Sequence, residues 1–361
     1  MEAPRPHKKI LVLRFGSLGD VVLATAVLRA LRRIYPGAKI HAGVKQAYAS
    51  LLVGHPCVDE LLVLDTKSEH RGFSGLWSYL LRARDLRFDL VVDLHSNARS
   101  RLVSFLSGAR VLRARKHWLR RQLLVWFKRR PSPPLPGVAR RYLEALRPLA
   151  PGGFAPGDET PELRVPALDE AWARRFLKEQ GLRGGETLVG VNPGAAWPTK
   201  RWNGRGFAAV LDALAARGGV RFLLIGDRHD VFACEEAVAR ARRAAPLCIQ
   251  TAGETSVGQM AALLKHCRLL LTNDSGPMHV AVGLGVPVVA LFGPTVREFG
   301  FAPLGPRDRV VERNLSCRPC SLHGGERCPI GTHECMEGIT PEAVLKEALA
   351  VLGARRGRSG G

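Results

Sequence analysis

The stretch that decides the fold is TNDSGPMHVAVGLGVPVVALFGPT, residues 272–295. It completes an apolar strand, turns at Asp274–Pro277, and continues through a helix of small residues to a second apolar strand and a turn at Gly293–Thr295. A polar turn at the carboxyl end of a parallel strand exposes backbone N–H groups at a helix N-terminus, which suits an anion such as pyrophosphate. We therefore interpret this stretch as an anion-binding strand–turn–helix unit.

A second turn of this kind lies near the start of the chain, where KKILVLRF meets Gly16–Asp20. Two such turns, one in each half, predict an α/β protein with two doubly wound, Rossmann-like domains that face each other across a cleft. Short apolar runs of strand length recur in both halves, separated by helical or polar segments, as expected for buried parallel strands. The predicted strands are 10–15, AKIHAGV, DELLVLD and FDLVVDLH in the first half, and 186–192, 220–226, 245–251, 267–273 and 286–293 in the second.

Proline and glycine set the predicted domain boundaries. The Pro/Gly-rich segment 151–166 is the natural linker, so we predict an N-terminal domain over 1–160 and a C-terminal domain over 161–339. A last helix over 340–354 begins with Thr340 as N-cap and Pro341 at the first helical position. The tail 355–361 is expected to be disordered.

Composition limits the class of protein. The 361 residues are 46% hydrophobic, which is typical of a globular protein with room for two cores. No apolar run approaches the ~20 residues that span a bilayer. The charged N-terminus has no signal-peptide pattern. We therefore expect a cytoplasmic location.

The net charge is +22, and one segment of the chain is rich in basic residues. Between Arg110 and Arg141 the chain has many basic residues and no acid, which predicts an anionic partner. Read as a helix, residues 117–130 carry an apolar face between basic ends, so the segment either docks on an acceptor or membrane surface or packs its apolar face on the protein. The basic residues assigned to this acceptor or membrane contact are Arg99, Arg120, Arg121, Arg129 and Arg130.

Three polar positions have the residue types that group transfer needs. Asp20, at a predicted helix start, either stabilises the helix dipole or acts as a general base. Lys200, in the loop after a predicted strand, either is a surface lysine or stabilises a departing phosphate. In the turn 274–279, Asp274 either caps the helix or helps to hold phosphate, and His279 either faces the donor or is buried.

Several common motifs are missing. The sequence has no Asp-x-Asp triplet, no P-loop and no GxSxG, and the turn 16–19 lacks the GxGxxG spacing. A dinucleotide oxidoreductase is therefore disfavoured, and so is a metal–carboxylate bridge to a nucleotide diphosphate.

Four ordered segments together resemble glycosyltransferase family 9, the ADP-heptose:lipopolysaccharide heptosyltransferases, from about residue 9 to 350. They are LRFGSLGDVVLATAVLRALRRIYPGAKI, VNPGAAWPTKRWN, TNDSGPMHVAVGLGVPVVALFGPT and CRPCSLHGGERCPIGTHECMEGITPEAV. The resemblance implies a GT-B fold and an inverting reaction that needs no metal or other cofactor. It also implies that the C-terminal domain holds the donor.

The resemblance assigns roles to individual residues. Asp20 matches the catalytic base, and Lys200 matches the lysine that contacts the donor phosphate. Asp230 lies where relatives often carry a glutamate that binds the donor ribose. The implied donor-binding residues are Asn192, Thr199, Lys200, Asp230, Asp274, Ser275, Gly276, Met278 and His279.

Four cysteines, Cys317, Cys320, Cys328 and Cys335, lie within nineteen residues. Such clusters commonly bind zinc through four thiolates, so a structural zinc site is one interpretation. A redox-sensitive disulfide and simple packing remain the others.

The sequence thus predicts a glycosyltransferase that moves a heptose from an ADP-sugar to an anionic lipopolysaccharide or lipid-linked acceptor at the inner leaflet, without a nucleic-acid partner. The alternatives are a sugar-nucleotide epimerase of the same architecture and a basic nucleic-acid-binding protein. Against the last, the sequence has no helix-turn-helix or RNA-binding signature.

Overall fold

The structure is a computed structural model that describes residues 7–128 and 134–354. Arg129, Arg130 and the predicted disordered tail 355–361 lie outside the described residues. The strands are β1 Lys9–Leu13, β2 Lys39–Lys45, β3 Glu60–Leu64, β4 Leu90–Asp93, β5 Arg110–Arg113, β6 Thr187–Asn192, β7 Val220–Leu224, β8 Cys248–Gln250, β9 Leu269–Asn273, β10 Val288–Phe292 and β11 Arg309–Glu312.

Helices alternate with these strands along the chain. They are α1 Leu18–Ile34, α2 Gln46–Ala49, α3 Gly72–Asp85, α4 Ala98–Leu106, α5 Trp118–Phe127, α6 Val138–Glu144, α7 Ala167–Glu179, α8 Gly204–Ala215, α9 Val231–Arg240, α10 Val257–Lys265, α11 Gly276–Gly283, α12 Glu334–Glu337 and α13 Pro341–Gly353. Short 3-10 turns cover Pro198–Lys200, Ala245–Leu247 and Arg297–Phe299.

The strands form two parallel sheets, which confirms the α/β class. The first has the order β3-β2-β1-β4-β5 and the second the order β11-β10-β9-β6-β7-β8. The strand order reverses beside β1 in the first sheet and beside β6 in the second. In doubly wound sheets, ligands bind outside the carboxyl ends of the strands at such a reversal. Each sheet therefore has one favoured site, next to β1 and β4 in the first and next to β6 and β9 in the second.

The nine predicted strands are all present. The two that the sequence pattern missed, β5 and β11, each lie at one edge of their sheet. Both carry arginines and expose part of their length, so they lack the continuous apolar run that marks a central strand.

The chain divides into two compact units. The first contains residues up to His117 and Pro136–Pro166, and the second contains Trp118–Leu135 and the chain from Ala167 onward. The structure thus groups α5 with the second unit, whereas the sequence boundary at residue 160 placed it in the first. The helix α13 contributes Val344, Ala348 and Val351 to the core of the second unit. The Thr340 hydroxyl accepts a hydrogen bond from the Ala343 N–H at 3.3 Å, which confirms the predicted N-cap.

Candidate active site

Asn192 organises the strand reversal in the second unit. This fully buried side chain ends β6 and donates from Nδ2 to the Ile225 carbonyl oxygen at 2.9 Å. Its Oδ1 accepts from the hydroxyls of Thr272 at 3.2 Å and Ser275 at 2.8 Å. A buried amide with its hydrogen bonds satisfied is rigid, so Asn192 holds the ends of β6 and β9 in a fixed relation.

Lys200 and Asp274 form an ion pair at this edge of the sheet. The Nζ of Lys200 lies 2.6 Å from Oδ2 of Asp274, and the two side chains are 14% and 9% exposed. The Thr295 hydroxyl donates to the same carboxylate oxygen at 2.7 Å. The structure therefore brings together two residues that the sequence assigned to donor binding. Removing one partner of such a desolvated ion pair lowers the free energy of unfolding much more than removing one partner of a surface ion pair.

The N-terminus of α11 keeps its first N–H groups available. Ser275 is the N-cap, but its side chain makes no capping hydrogen bond and instead contacts Thr272 and Asn192. Pro277 lies in the first turn, where a missing N–H costs nothing. The end without a side-chain cap therefore combines backbone N–H donors with the positive end of the helix dipole, which favours an anion. Gly276 is the first residue of this helix.

Two further predicted donor residues in this helix have buried side chains. Met278 is fully buried, and His279 is 5% exposed with its ring 6.1 Å from that of Phe301 in an edge contact. Because the Met278 side chain belongs to the core, only its backbone is placed to contact a ligand. His279 is the buried polar residue that the sequence analysis allowed as an alternative.

Thr199 connects the lysine loop to the cysteine-bearing segment. Its hydroxyl exchanges hydrogen bonds of 2.8 Å with the backbone of Gly325, and its carbonyl oxygen lies 2.8 Å from Nε2 of His333. This buried threonine therefore positions the loop that carries Lys200.

Asp230 precedes α9 and packs on two glycines. A β-carbon added at Gly194 would lie 1.9 Å from the Asp230 carboxylate, and one added at Gly226 would lie 2.5 Å from the Asp230 side chain. Burial raises the pKa of Asp230 above its ordinary value, although the Asp227 N–H donates to the carboxylate and opposes that shift. The two glycines are therefore required for space, and they bring this carboxylate close to the loop after β6.

Asp20 lies at the strand reversal of the first unit. Its Oδ2 accepts from the Ser17 hydroxyl at 2.8 Å and contacts Nη2 of Arg14 at 2.6 Å. Its Oδ1 accepts from the Tyr142 hydroxyl at 2.7 Å. The side chain is 12% exposed. Burial raises the pKa of Asp20, but the Arg14 charge and the hydrogen bonds from Tyr142 and Ser17 outweigh it, so the pKa lies below the ordinary value.

Further basic groups surround this carboxylate. Burial, followed by the charges of Arg14 and Lys116, lowers the pKa of His95 to about 4, so this imidazole is neutral at physiological pH. Burial also lowers the pKa of Lys116, with Arg14 and Arg101 adding to the effect. Arg14, Arg101 and Lys116 therefore gather near the carboxylates of Asp20 and Asp93 at the carboxyl ends of β1, β4 and β5, and this positive charge suits an anionic ligand.

The residues predicted for acceptor or membrane contact are placed differently. Arg99 is half-buried in the first turn of α4. Arg120 and Arg121 are half-buried on α5, and the Arg121 guanidinium lies over the rings of Phe299 at 5.2 Å and Phe301 at 5.7 Å. Arg120 and Arg121 are therefore not fully exposed to solvent.

The cysteine segment does not fit zinc. Among residues 7–128 and 134–354, no group of three or more histidine, cysteine, aspartate or glutamate side chains is arranged to hold a metal ion. The sulfurs have other surroundings: Cys335 is buried, and the Cys320 thiol donates to the Cys317 carbonyl oxygen at 3.4 Å. Backbone N–H groups from Ile330 to His333 point at Cys328 and lower its pKa, against the opposing effect of burial. The structural zinc interpretation is therefore not supported.

Sequence reasoning missed the partners of the two key residues. Tyr142 is 122 residues from Asp20 and lies in a basic segment without a motif. Thr295 belongs to the quoted stretch 272–295, but nothing in the sequence pairs it with Asp274. Arg14 alone had a signal, as a charge that interrupts the apolar run before the first turn.

Two parallel Rossmann-like sheets, with an uncapped helix N-terminus beside a lysine in one and a buried ionised carboxylate in the other, define a glycosyltransferase of the GT-B class. The sequence profile of glycosyltransferase family 9 (heptosyltransferase) matches residues 78–326. Because that match covers more than half of the chain, the protein belongs to this family. The glycosyltransferase reading therefore prevails over the epimerase and the nucleic-acid-binding protein.

Individual proteins agree with this assignment. The lipooligosaccharide heptosyltransferase 2 of Haemophilus ducreyi is 28% identical over 351 residues, which cover 94% of this chain and 98% of the relative. A family 9 glycosyltransferase from Veillonella parvula has a similar structure, with a TM-score of 0.80, 28% identity, and coverage of 97% and 99% of the two chains. The ADP-heptose lps heptosyltransferase II of E. coli has a TM-score of 0.75 and 26% identity, with 95% and 98% covered.

Proposed function

We propose that this protein transfers a heptose from ADP-heptose to an inner-core lipopolysaccharide acceptor, with inversion at the anomeric carbon and without a metal or other cofactor. The observation that carries the proposal is Asp20, a carboxylate that Arg14 keeps ionised at the strand reversal of the first unit. An inverting transfer proceeds in one displacement, so it needs one base to deprotonate the acceptor hydroxyl and no enzyme nucleophile. The names of the relatives, a lipooligosaccharide heptosyltransferase and an ADP-heptose lps heptosyltransferase, support the choice of sugar and acceptor.

The donor's diphosphate is assigned to the second unit. The N–H groups at the start of α11 and the Lys200 ammonium supply positive potential where the departing phosphate gains charge. Asp274 orients Lys200 through their ion pair. Asp230, beside Gly194, is the group proposed to accept a hydrogen bond from the donor ribose. Asn192 and Thr199 hold the framework of this site.

The reaction is a single displacement. The acceptor hydroxyl oxygen attacks the anomeric carbon while its proton passes to the Asp20 carboxylate. The bond between the anomeric carbon and the phosphate oxygen breaks, and both bonding electrons leave with ADP. Lys200 and the α11 N–H groups stabilise the developing negative charge, a role that a metal ion fills in many other nucleotide-sugar enzymes.

The acceptor's anionic groups are assigned to the first unit. We assign them to Lys116, which interacts electrostatically with Asp20, to Arg101, which interacts with Lys116, and to Arg99 in the first turn of the same helix as Arg101. Because such an acceptor is anchored in a bilayer, we place the protein on the inner face of the cytoplasmic membrane as a peripheral protein. Within the described ranges, no helix is both long and apolar enough to cross a membrane.

The test is a mass-detected transfer assay with a panel of nucleotide sugars, in the presence and absence of EDTA. We expect transfer from ADP-heptose to a lipopolysaccharide inner-core acceptor, with activity unchanged by EDTA and inverted configuration of the product by NMR. Preference for a different nucleotide sugar would contradict the donor assignment, and loss of activity with EDTA would contradict metal independence.

Arg14→Gln is expected to move the acid limb of the kcat/KM profile to higher pH. Because the Arg14 charge and the hydrogen bonds from Tyr142 and Ser17 outweigh burial and depress the pKa of Asp20, the wild-type base stays ionised from neutral pH into the acid range. Without the Arg14 charge, only the hydrogen bonds from Tyr142 and Ser17 oppose the effect of burial, so the pKa of Asp20 rises. Activity should therefore fall at acidic pH and recover at higher pH. In the wild type, the Arg14–Asp20 ion pair stabilises the folded protein above the pKa that Asp20 has in the unfolded chain, and this stabilisation is lost as the pH falls through the pKa of Asp20 in the folded protein. Arg14→Gln removes the ion pair, so the variant should be less stable than the wild type at neutral pH.

Arg32→Gln is the matched control. Arg32 forms an ion pair of the same 2.6 Å length with Asp59, near the opposite end of α1 from Asp20. It should leave the pH profile of kcat/KM unchanged. Equal profiles for Arg14→Gln and the wild type would show that Arg14 does not set the pKa of Asp20.

A further inference from the structure

The helix α5 presents its apolar side chains to solvent. Of its ten residues, five large apolar ones form one exposed face, which we call the α5 apolar face. Their exposed fractions are 57% for Trp118, 58% for Leu119, 39% for Leu123, 58% for Trp126 and 65% for Phe127. Their spacing of three, four and eight residues places them on one side of a helix.

The opposite side of α5 holds it to the second unit. Leu124 is 2% exposed, and the Arg121 guanidinium lies over the rings of Phe299 and Phe301. Directly after the helix, Lys128 donates from Nζ to the Pro319 carbonyl oxygen. An ordinary surface helix packs its apolar face on the core and exposes its charges. In α5 the arginine side packs inward, so the apolar face has no partner within the described part of the second unit.

We infer that the α5 apolar face inserts into the headgroup boundary of an anionic lipid bilayer and is the membrane-docking surface of this protein. Tryptophan is enriched at this depth because its ring has an apolar body and a polar N–H, and phenylalanine and leucine are common on the apolar face of helices that lie in the interface. The inference deepens the proposed peripheral location and does not depend on heptosyl transfer. The sequence analysis assigned Arg120 and Arg121 to the acceptor or membrane contact. The structure favours the apolar side chains of α5 as the residues that contact the membrane.

Charge selects an anionic bilayer over a second copy of the chain. Residues 110–141 contain eleven lysines and arginines and no acidic residue. Pairing two copies through their α5 apolar faces would bring two positively charged segments together, which costs free energy. An anionic membrane surface attracts the same segment, and apolar burial and charge then act in the same direction.

The experiment is co-sedimentation of the full chain with acceptor-free vesicles of mixed phosphatidylcholine and phosphatidylglycerol. The variant combines Leu119→Ser, Leu123→Ser and Trp126→Ser. It should bind about 100-fold more weakly than the wild type, since three partly exposed side chains lose their burial in lipid. Its thermal unfolding temperature should fall only slightly, because these three side chains are 39% to 58% exposed in the folded protein. Pure phosphatidylcholine vesicles should bind the wild type more weakly than the mixed vesicles.

The matched control combines Leu168→Ser and Phe232→Ser. These side chains are 86% and 74% exposed in the same unit, on α7 and α9. The control should bind vesicles like the wild type. Equal losses in both variants, or none in the α5 variant, would overturn the inference. A wild type that dimerises through α5 and ignores vesicles would also overturn it, in favour of a second copy.

Quenching by brominated lipids tests the contact without abolishing it. The conservative variant Trp118→Phe with Trp126→Phe should still bind vesicles but lose most of the quenching of tryptophan fluorescence. Full quenching in this variant would place another tryptophan, such as the exposed Trp77, at the bilayer instead. Because vesicle binding requires neither donor nor acceptor, failure here is distinguishable from failure of the transfer assay.

Discussion

Asp20→Asn is expected to lower kcat by about 10²–10⁴-fold, the usual contribution of a general base. The amide keeps the size of the carboxylate and can still accept from Tyr142 or Ser17, but it cannot take the acceptor's proton. The affinity for ADP-heptose should stay near the wild-type value, because the proposed donor residues all belong to the second unit. Steady-state kinetics and calorimetry with ADP would measure the two effects separately.

Asp59→Asn is the control for this variant. Asp59 is paired with Arg32 at the same distance that joins Asp20 to Arg14, and it belongs to the same unit. Its substitution should cost some stability without reducing kcat. A kcat of Asp20→Asn close to that of Asp59→Asn would reduce Asp20 to the helix-stabilising residue that the sequence alone allowed.

Lys200→Ala is expected to lower kcat/KM by about 10²–10³-fold, with the larger part in kcat. The reason is that the ammonium would contact charge that grows as the phosphate departs, so its stabilising effect is larger in the transition state than in the bound donor. Lys200→Arg should recover only part of the loss, because a planar guanidinium does not place its charge where the compact ammonium does. Single-turnover kinetics separate the chemical step from donor binding.

Stability needs its own control here. Removing Lys200 leaves the Asp274 carboxylate, 9% exposed, without its cation, so thermal unfolding should shift to lower temperature. The double variant Lys200→Ala with Asp274→Asn should recover stability but not activity. Lys265→Ala breaks the exposed contact with Glu170 at 3.0 Å and should affect neither. Activity that returns together with stability in the double variant would show that Lys200 acts only through folding.

The sequence by itself determined the parallel sheets and the turns that carry the site. The central strands β1, β6 and β9 are buried on both faces, so each needs a continuous apolar run that can be read without neighbours. The turns that follow them are local as well, and Asp20 and Asp274 were found there for this reason. The edge strands β5 and β11 were missed because each is four residues long and partly exposed, with charged residues at both ends of its apolar run.

The arrangement around these residues depended on contacts between distant segments. The Asp20 pKa is set by Arg14 and by Tyr142, and the Lys200–Asp274 ion pair joins positions 74 residues apart along the chain. A side chain's pKa and its partners depend on three-dimensional neighbours, which periodicity does not specify. The cysteine cluster shows the same limit: the close spacing of four cysteines made zinc one interpretation, yet within residues 7–128 and 134–354 no set of side chains is arranged to hold a metal ion.

The helix α5 separates the two kinds of information most clearly. Its amphipathic pattern is local, and the sequence determined both the helix and its two faces. Which face of α5 packs against the second unit depends on the side chains that this unit presents to the helix. Here the Arg121 guanidinium packs over the rings of Phe299 and Phe301. A side chain is buried only when a second surface covers it, and the local sequence does not specify that surface. Only the tertiary structure could therefore show that Trp118, Trp126 and Phe127 remain exposed to solvent.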